Sequence, residues 1–174
     1  MLYWLAELSD GGDFFNLFRY ITFRAGAAFF TALIFGFLFG RPLINLLKRR
    51  QKNGQPIRAD GPEGHVLTKA GTPTMGGALI LGAITVSTLL WARLDNGFVL
   101  VVLGVTLSYG LIGFADDYSK IAKNDNYSGL SGKLRLTLEG IIALAASYVI
   151  MTLHPAELTG QLAFPGFKDL LLNL

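Results

Sequence analysis

Hydrophobic residues in this chain come in long unbroken runs instead of alternating with polar ones. Residues 25–40 carry no charge and continue as 42–47 beyond Arg41, before the basic cluster Lys48, Arg49, Arg50. Residues 70–92 give 23 positions without a charge, and 98–115 give 18 more. A fourth apolar run, 134–153, is interrupted only by Arg135 and Glu139 near its start. A helix that crosses a bilayer needs about 20 such residues, so the pattern predicts spans at 22–47, 73–93, 98–116 and 134–153. The first reaches that length only with Arg41 inside it, where the side chain must snorkel or pair with an acid. The expected fold is an all-α integral membrane protein with about four transmembrane helices in one membrane domain, 1–174.

Only Leu94, Asp95, Asn96 and Gly97 separate the second span from the third. So short a connection makes the two helices antiparallel neighbours. Thr74 lies 21 residues before Asp95 and Asp116 lies 21 after it. At about 1.5 Å per residue the chain therefore returns them to one depth. Residues 51–73 are rich in Gly, Pro and charge, and 119–132 are polar with Asn and Gly turn signals, so both read as loops. Residues 1–20 mix aromatics with Glu7, Asp10 and Asp13, which suits an interfacial segment. Phe14, Phe15, Phe18, Tyr20 and Phe23 suit an interface belt. The tail, 156–174, contains Pro165 and Gly166 and reads as an external interfacial piece or the approach to another span.

Composition sharpens this picture in two ways. With 52% hydrophobic and 16% charged residues and a mean hydropathy of +0.47, the chain is too apolar for an ordinary soluble domain. The net charge of +3 is a matter of location: of 15 Lys and Arg, seven fall between Arg41 and Lys69 and four between Lys120 and Arg135. That is the asymmetry of cytoplasmic loops and not a nucleic-acid groove, and it puts both termini outside. No Lys or Arg occurs before Arg19 and no small-residue cleavage site follows a short apolar core, so a cleavable signal peptide is not expected. The absence of cysteine excludes disulfides and thiolate metal sites.

Chemistry concentrates at the inner end of the hairpin. The run 109–120, YGLIGFADDYSK, passes from an uncharged stretch to two adjacent carboxylates, Asp116 and Asp117. Such a pair at a membrane boundary needs a neutralising cation, and a divalent metal is one candidate. The topology gathers Lys69, Thr72, Thr74, Lys120, Lys123 and Lys133 at the same face, a set suited to a diphosphate. A charge cluster at a helix end is equally what an interface alone produces, although the positive-inside rule does not call for an acidic pair. In KAGTPTMGG, 69–77, Pro73 suits a first helical turn, Thr72 or Thr74 a cap, and the glycines a close approach to a ligand. Helix packing through small residues explains those glycines as well. Glu139 stands four residues from Arg135 and is read as its ion-pair partner; Asp125 is read as a solvated loop charge.

Three motifs taken together, HVLTKAGTPTMGG (65–77), GFADDYSK (113–120) and GLSGKLRL (129–136), resemble the phospho-N-acetylmuramoyl-pentapeptide transferase family. That family is a branch of the polyprenyl-phosphate N-acetylhexosamine-1-phosphate transferases. The TPTMGG segment marks the branch, whereas paired aspartates mark the wider superfamily. The resemblance implies transfer of phospho-N-acetylmuramoyl-pentapeptide from its UDP-linked donor to undecaprenyl phosphate, with magnesium, giving lipid I and UMP in peptidoglycan synthesis. It implies a multi-pass protein of the bacterial inner membrane with its active face cytoplasmic. By motif position Asp116 and Asp117 would be the catalytic aspartates, one of them deprotonating the lipid phosphate, and Lys69 would contact the nucleotide diphosphate. Lys120 and Lys133 match family lysines near the cleft. Family analogy also suggests a homodimer, and no nucleic-acid partner is expected.

The family fold has ten transmembrane helices, and its third catalytic aspartate and histidine-rich loop have no counterpart here. His65 and His154 do not replace them, since lone histidines lack a metal partner set. The expectation is an amino-terminal part that is inactive alone. Three other readings stay open on the residues: a related transferase using another UDP-sugar, a transport subunit, for which acids near the membrane midplane would be expected, and an assembly piece, for or against which the residues carry no signal.

Overall fold

The computed structural model describes residues 1–51, 73–123 and 128–153, together with the backbone of 161–163 and 171–173. Four helices dominate the described residues: α1 (Ile21–Arg50), α2 (Gly77–Trp91), α3 (Gly97–Lys123) and α4 (Gly132–Leu153). Two short 3-10 helices, Leu2–Leu8 and Phe14–Arg19, precede them. α1, α3 and α4 are each long and apolar enough to cross a bilayer, and α2 is a shorter apolar helix. The chain is a multi-pass, all-α membrane protein of about four spans.

Each departure of a helix from its expected bounds has a local cause. α1 runs 30 residues, about 45 Å, and so projects past a hydrocarbon core of about 30 Å. Arg41 lies inside it, exposed and with no acid partner among the described residues. α2 has only 15 residues, about 22 Å, because residues 73–76 do not join it. Met75 has φ 72°, a left-handed backbone that ends any helix coming from the N-terminal side. Asn96 starts α3: its side-chain oxygen accepts the Phe98 N–H at 3.0 Å. Ser131 caps α4 in the same way, accepting the Leu134 N–H at 3.3 Å.

α3 continues to Lys123, so Asp116 and Asp117 lie within the helix and not at its end. The Asp116–Lys120 pair at i,i+4 supports those extra turns, about two of them.

Small residues let the helices close on one another. A side chain at Gly82 would sit 3.2 Å from the Phe35 ring, between α2 and α1. One at Gly97 would meet Leu153 at 2.7 Å, which sets the start of α3 against the end of α4. Gly110 on α3 faces Leu81 on α2 so closely that a Cβ there would displace the end of the leucine side chain. Tyr109 ties α3 to α4 by donating its hydroxyl to the Glu139 carbonyl at 3.1 Å.

The end of the α1/α2 pair away from the acids is closed by aromatics. Phe18 is buried and stacks on Trp91 at 5.9 Å between ring centroids, and Phe23 meets both rings edge-on. Trp91 donates its indole N–H to Thr31 at 2.9 Å, and Arg24 donates to the Trp91 carbonyl at 3.3 Å. Part of the expected interface belt is thus a packing cluster, while Phe14 and Tyr20 remain exposed. In the nearby turn an exposed ion pair joins Arg93 to Asp95 at 2.6 Å; that hydrogen bond holds the Asp95 carboxyl below its ordinary range.

Beyond α4, Gln161–Ala163 (β1) and Leu171–Asn173 (β2) pair antiparallel, with Leu162 opposite Leu172. The sequence reading contains no such ladder. Its signal is weak because each strand is only three residues long, too few to show alternation.

Gly110→Leu should separate α2 from α3 and cost roughly 1–3 kcal/mol, the usual penalty for overpacking. The check is the thermal midpoint in detergent, and Leu81→Ala added to it should recover part of the loss.

Candidate active site

α3 carries the two adjacent acids, and consecutive residues on a helix point about 100° apart. Asp116 and Asp117 therefore face different neighbours. Asp116 is 8% exposed and has both oxygens engaged. Its Oδ2 pairs with Lys120 Nζ at 2.6 Å, and its Oδ1 accepts the Leu130 backbone N–H at 2.8 Å. It thus pins the segment that leads into α4. Gly129 is what allows this, because a Cβ there would collide with Asp116 Oδ1 and lie 2.7 Å from Lys120 Cε.

Asp117 is half-buried and turns toward the residues before α2. Its Oδ2 accepts a hydrogen bond from Thr74 Oγ1 at 2.9 Å. The hairpin count, which returned Thr74 and Asp116 to one depth, is borne out by this contact. Thr74 is held in turn by Gln51, the residue after α1. The Gln51 side-chain oxygen accepts the Thr74 N–H at 2.9 Å, and its NH2 donates to the Thr74 carbonyl at 3.3 Å. Three segments, the end of α1, the residues before α2 and the inner part of α3, are joined through three hydrogen bonds.

Beside the acids runs an apolar groove of about 660 Å³ between α2 and α3. Met75, Leu81, Leu107, Leu111 and Phe114 line it, and Asp116, Asp117 and Arg135 lie along its polar part. Arg135 makes the expected ion pair with Glu139, its Nε 2.8 Å from Oε1, while also bordering the groove. The arrangement offers an apolar trough bordered at its polar part by two carboxylates and a guanidinium paired to Glu139, a shape suited to an amphiphile with a polar head.

Of the residues expected at the site, Thr74, Asp116, Asp117 and Lys120 are brought together. Lys120 is committed to Asp116 and is not a free cation. Lys133 is exposed on the first turn of α4, and no contact with either acid is found for it among the described residues. Lys69, Thr72, His65, Asp125 and His154 lie outside the described residues. Gln51, the Leu130 N–H and the groove-facing role of Arg135 escape sequence reasoning. A glutamine at a helix end carries no pattern, a backbone donor carries none by definition, and the spacing of Arg135 to Glu139 already accounted for that charge. Gly129 did carry a signal, although only as a turn residue.

Gly129→Ala should break the Asp116–Leu130 bond and cost roughly 1–3 kcal/mol, the penalty for leaving a buried acceptor unsatisfied. Faster hydrogen exchange at the Leu130 amide would report it.

Residues 69–81 match the family model described as phospho-N-acetylmuramoyl-pentapeptide-transferase signature 1. The described part of that match contains Thr74, Met75 and the groove wall at Ala78 and Leu81. The chain is 68% identical over 174 residues to a phospho-N-acetylmuramoyl-pentapeptide-transferase of Ruegeria sp. (strain TM1040). It is 66% identical to the protein so named in Dinoroseobacter shibae and 69% to that of Ruegeria pomeroyi. Each alignment covers 100% of this chain and 48% of the relative, so the chain spans about half the length of the curated relatives it matches. With the signature in place, the chain is similar along its whole length to about half of a phospho-N-acetylmuramoyl-pentapeptide-transferase.

Proposed function

We propose that this chain supplies one part of the active site of a phospho-sugar transferase. That enzyme moves phospho-N-acetylmuramoyl-pentapeptide from UDP to undecaprenyl phosphate in peptidoglycan synthesis. The observation that carries the reading is the Thr74–Asp117 hydrogen bond, which joins the family signature to the twin acids beside an apolar groove.

In this reading the isoprenoid tail of the acceptor lies along Leu81, Leu107 and Phe114, and its phosphate meets Arg135. A phosphate monoester has a second pKa of about 6, so at neutral pH the acceptor is mostly ionised and its own oxygen is the nucleophile. That oxygen forms a bond to the sugar-linked phosphorus of the donor. The bond from that phosphorus to the oxygen bridging to UMP breaks, and UMP leaves with the electron pair. Lys69 and Thr72, by their motif positions, contact the donor diphosphate.

Magnesium fits the donor set in a limited way. Three of the four carboxylate oxygens of the pair are engaged, and among the described residues no group of three or more acidic or imidazole side chains could cage an ion. Magnesium is typically held by one or two carboxylates plus substrate phosphates and water, so Asp117 Oδ1 would be its ligand here, with the diphosphate supplying other oxygens. Its charge would offset what builds up on the departing UMP. Asp116, tied to Lys120 and Leu130, holds the site's frame, and Arg135 lowers the repulsion between acceptor phosphate and carboxylates. The basic residues clustered toward this end support a cytoplasmic active face in the bacterial inner membrane.

The test is a chimera joining residues 1–174 to the remaining half of the Ruegeria pomeroyi relative, assayed for lipid I from undecaprenyl phosphate and the UDP-linked donor. The chimera should turn over, and the 174-residue chain alone should not. Asp116→Asn and Asp117→Asn should each lower kcat by about a hundredfold or more. A chimera that folds and makes no lipid I would refute the reading. In the same assay Arg135→Gln should raise KM for the lipid phosphate about tenfold, with KM for the nucleotide unchanged.

A further inference from the structure

Gln51 is 7% exposed, an unusual state for a polar side chain at the end of a membrane helix. Its amide gives one acceptor and one donor to a single residue, Thr74, in the pattern by which a neighbouring strand would pair with it. That backbone needs a partner. Residues 73–76 belong to no helix, and Met75 next in line has φ 72°, a conformation that costs energy in any residue with a side chain. With the Thr74 backbone fixed on both sides of its Cα, its hydroxyl is aimed at Asp117 at 2.9 Å.

We propose that Gln51 is a positioning residue for Asp117, acting through Thr74. The side chain carries the location of the end of α1 into the orientation of one carboxylate on α3. Asparagine is one methylene too short to span both Thr74 groups. Glutamate keeps the acceptor and loses the donor. Alanine loses both, and leaves the Thr74 amide to water.

The effect on Asp117 can be read without turnover. The 174-residue chain, labelled with 13C at the aspartate carboxyl carbons and placed in phosphatidylglycerol nanodiscs, should give an Asp117 signal identified by its loss in Asp117→Asn. Thr74→Val should shift that signal, and Gln51→Ala should shift it the same way while the Asp116 signal stays in place. Thr74→Ser, which keeps the hydroxyl, should leave the signal at its original position. Gln51→Ala added to Thr74→Val should move it no further, the non-additivity expected of residues acting in series. If Gln51→Ala does not fold, Gln51→Glu provides the same comparison with a smaller shift. An Asp117 signal unmoved by Gln51 substitution, or one moved additively with Thr74→Val, would overturn the proposal.

A second arm rests on the transferase reading. In the chimera, Gln51→Ala should lower kcat about five- to tenfold with both KM values within about twofold. An equal loss through KM would overturn the positioning role. A chimera inactive with Gln51 intact would refute the transferase reading alone, and the carboxyl signal would still decide the role of Gln51.

Discussion

Part-buried backbone that belongs to no helix has no neighbour of its own to bond, and it must find hydrogen-bond partners elsewhere in the protein. Residues 73–76 are in that position, because α2 begins only at Gly77. The Met75 and Gly76 carbonyls accept from the first turn of α2, whereas the Thr74 backbone is paired with the side chain of Gln51, and the other features of the site follow from that pairing. With the Thr74 backbone held, Met75 can keep its left-handed φ and the family signature can turn sharply into α2. The Thr74 hydroxyl can then reach across to Asp117 on α3.

Asp116 and Asp117 are adjacent in sequence, yet helix geometry gives them separate work. About 100° of rotation separates consecutive residues, so Asp116 faces the segment leading to α4 while Asp117 faces the signature. The first is a buried, doubly bonded strut between α3 and the Gly129–Leu130 backbone. The second keeps an oxygen with no partner among the described residues and borders the groove. An ion pair between an exposed lysine and a carboxylate contributes little. This one is part-buried, with side-chain exposures of 25% and 12%, and it shares its carboxylate with a backbone donor, so removal of Lys120 would leave a desolvated charge behind.

Arg135 shows how one residue can satisfy two accounts at once. Its spacing to Glu139 predicts an ion pair, and the pair is present at 2.8 Å. The same guanidinium also borders the groove that Asp117 borders. A guanidinium has five N–H donors in a fixed fork, so one carboxylate partner leaves donors for an anion. Lys133, two residues earlier, points elsewhere because a helix turns by about 200° over two positions.

The linear order of residues determined a good deal here. Runs of uncharged residues as long as a bilayer is thick can be stable only as helices with their polar backbone satisfied internally, so four helices and their approximate bounds were legible. The short turn around Asp95 forced an antiparallel hairpin, and counting outward from it placed Thr74 beside the acids. The signature and the paired aspartates carried the family resemblance. What sequence could not supply was direction around each helix and contact between distant segments. Whether Asp116 faces Leu130 or the groove depends on helix rotation, and whether Gln51 meets Thr74 depends on where α1 ends relative to α2. Both are settled only when the helices pack. At that point Gly110 against Leu81, Gly97 against Leu153 and the Trp91 cluster fix their depth and rotation, because side-chain contacts between helices have no periodicity along the chain from which they could be read.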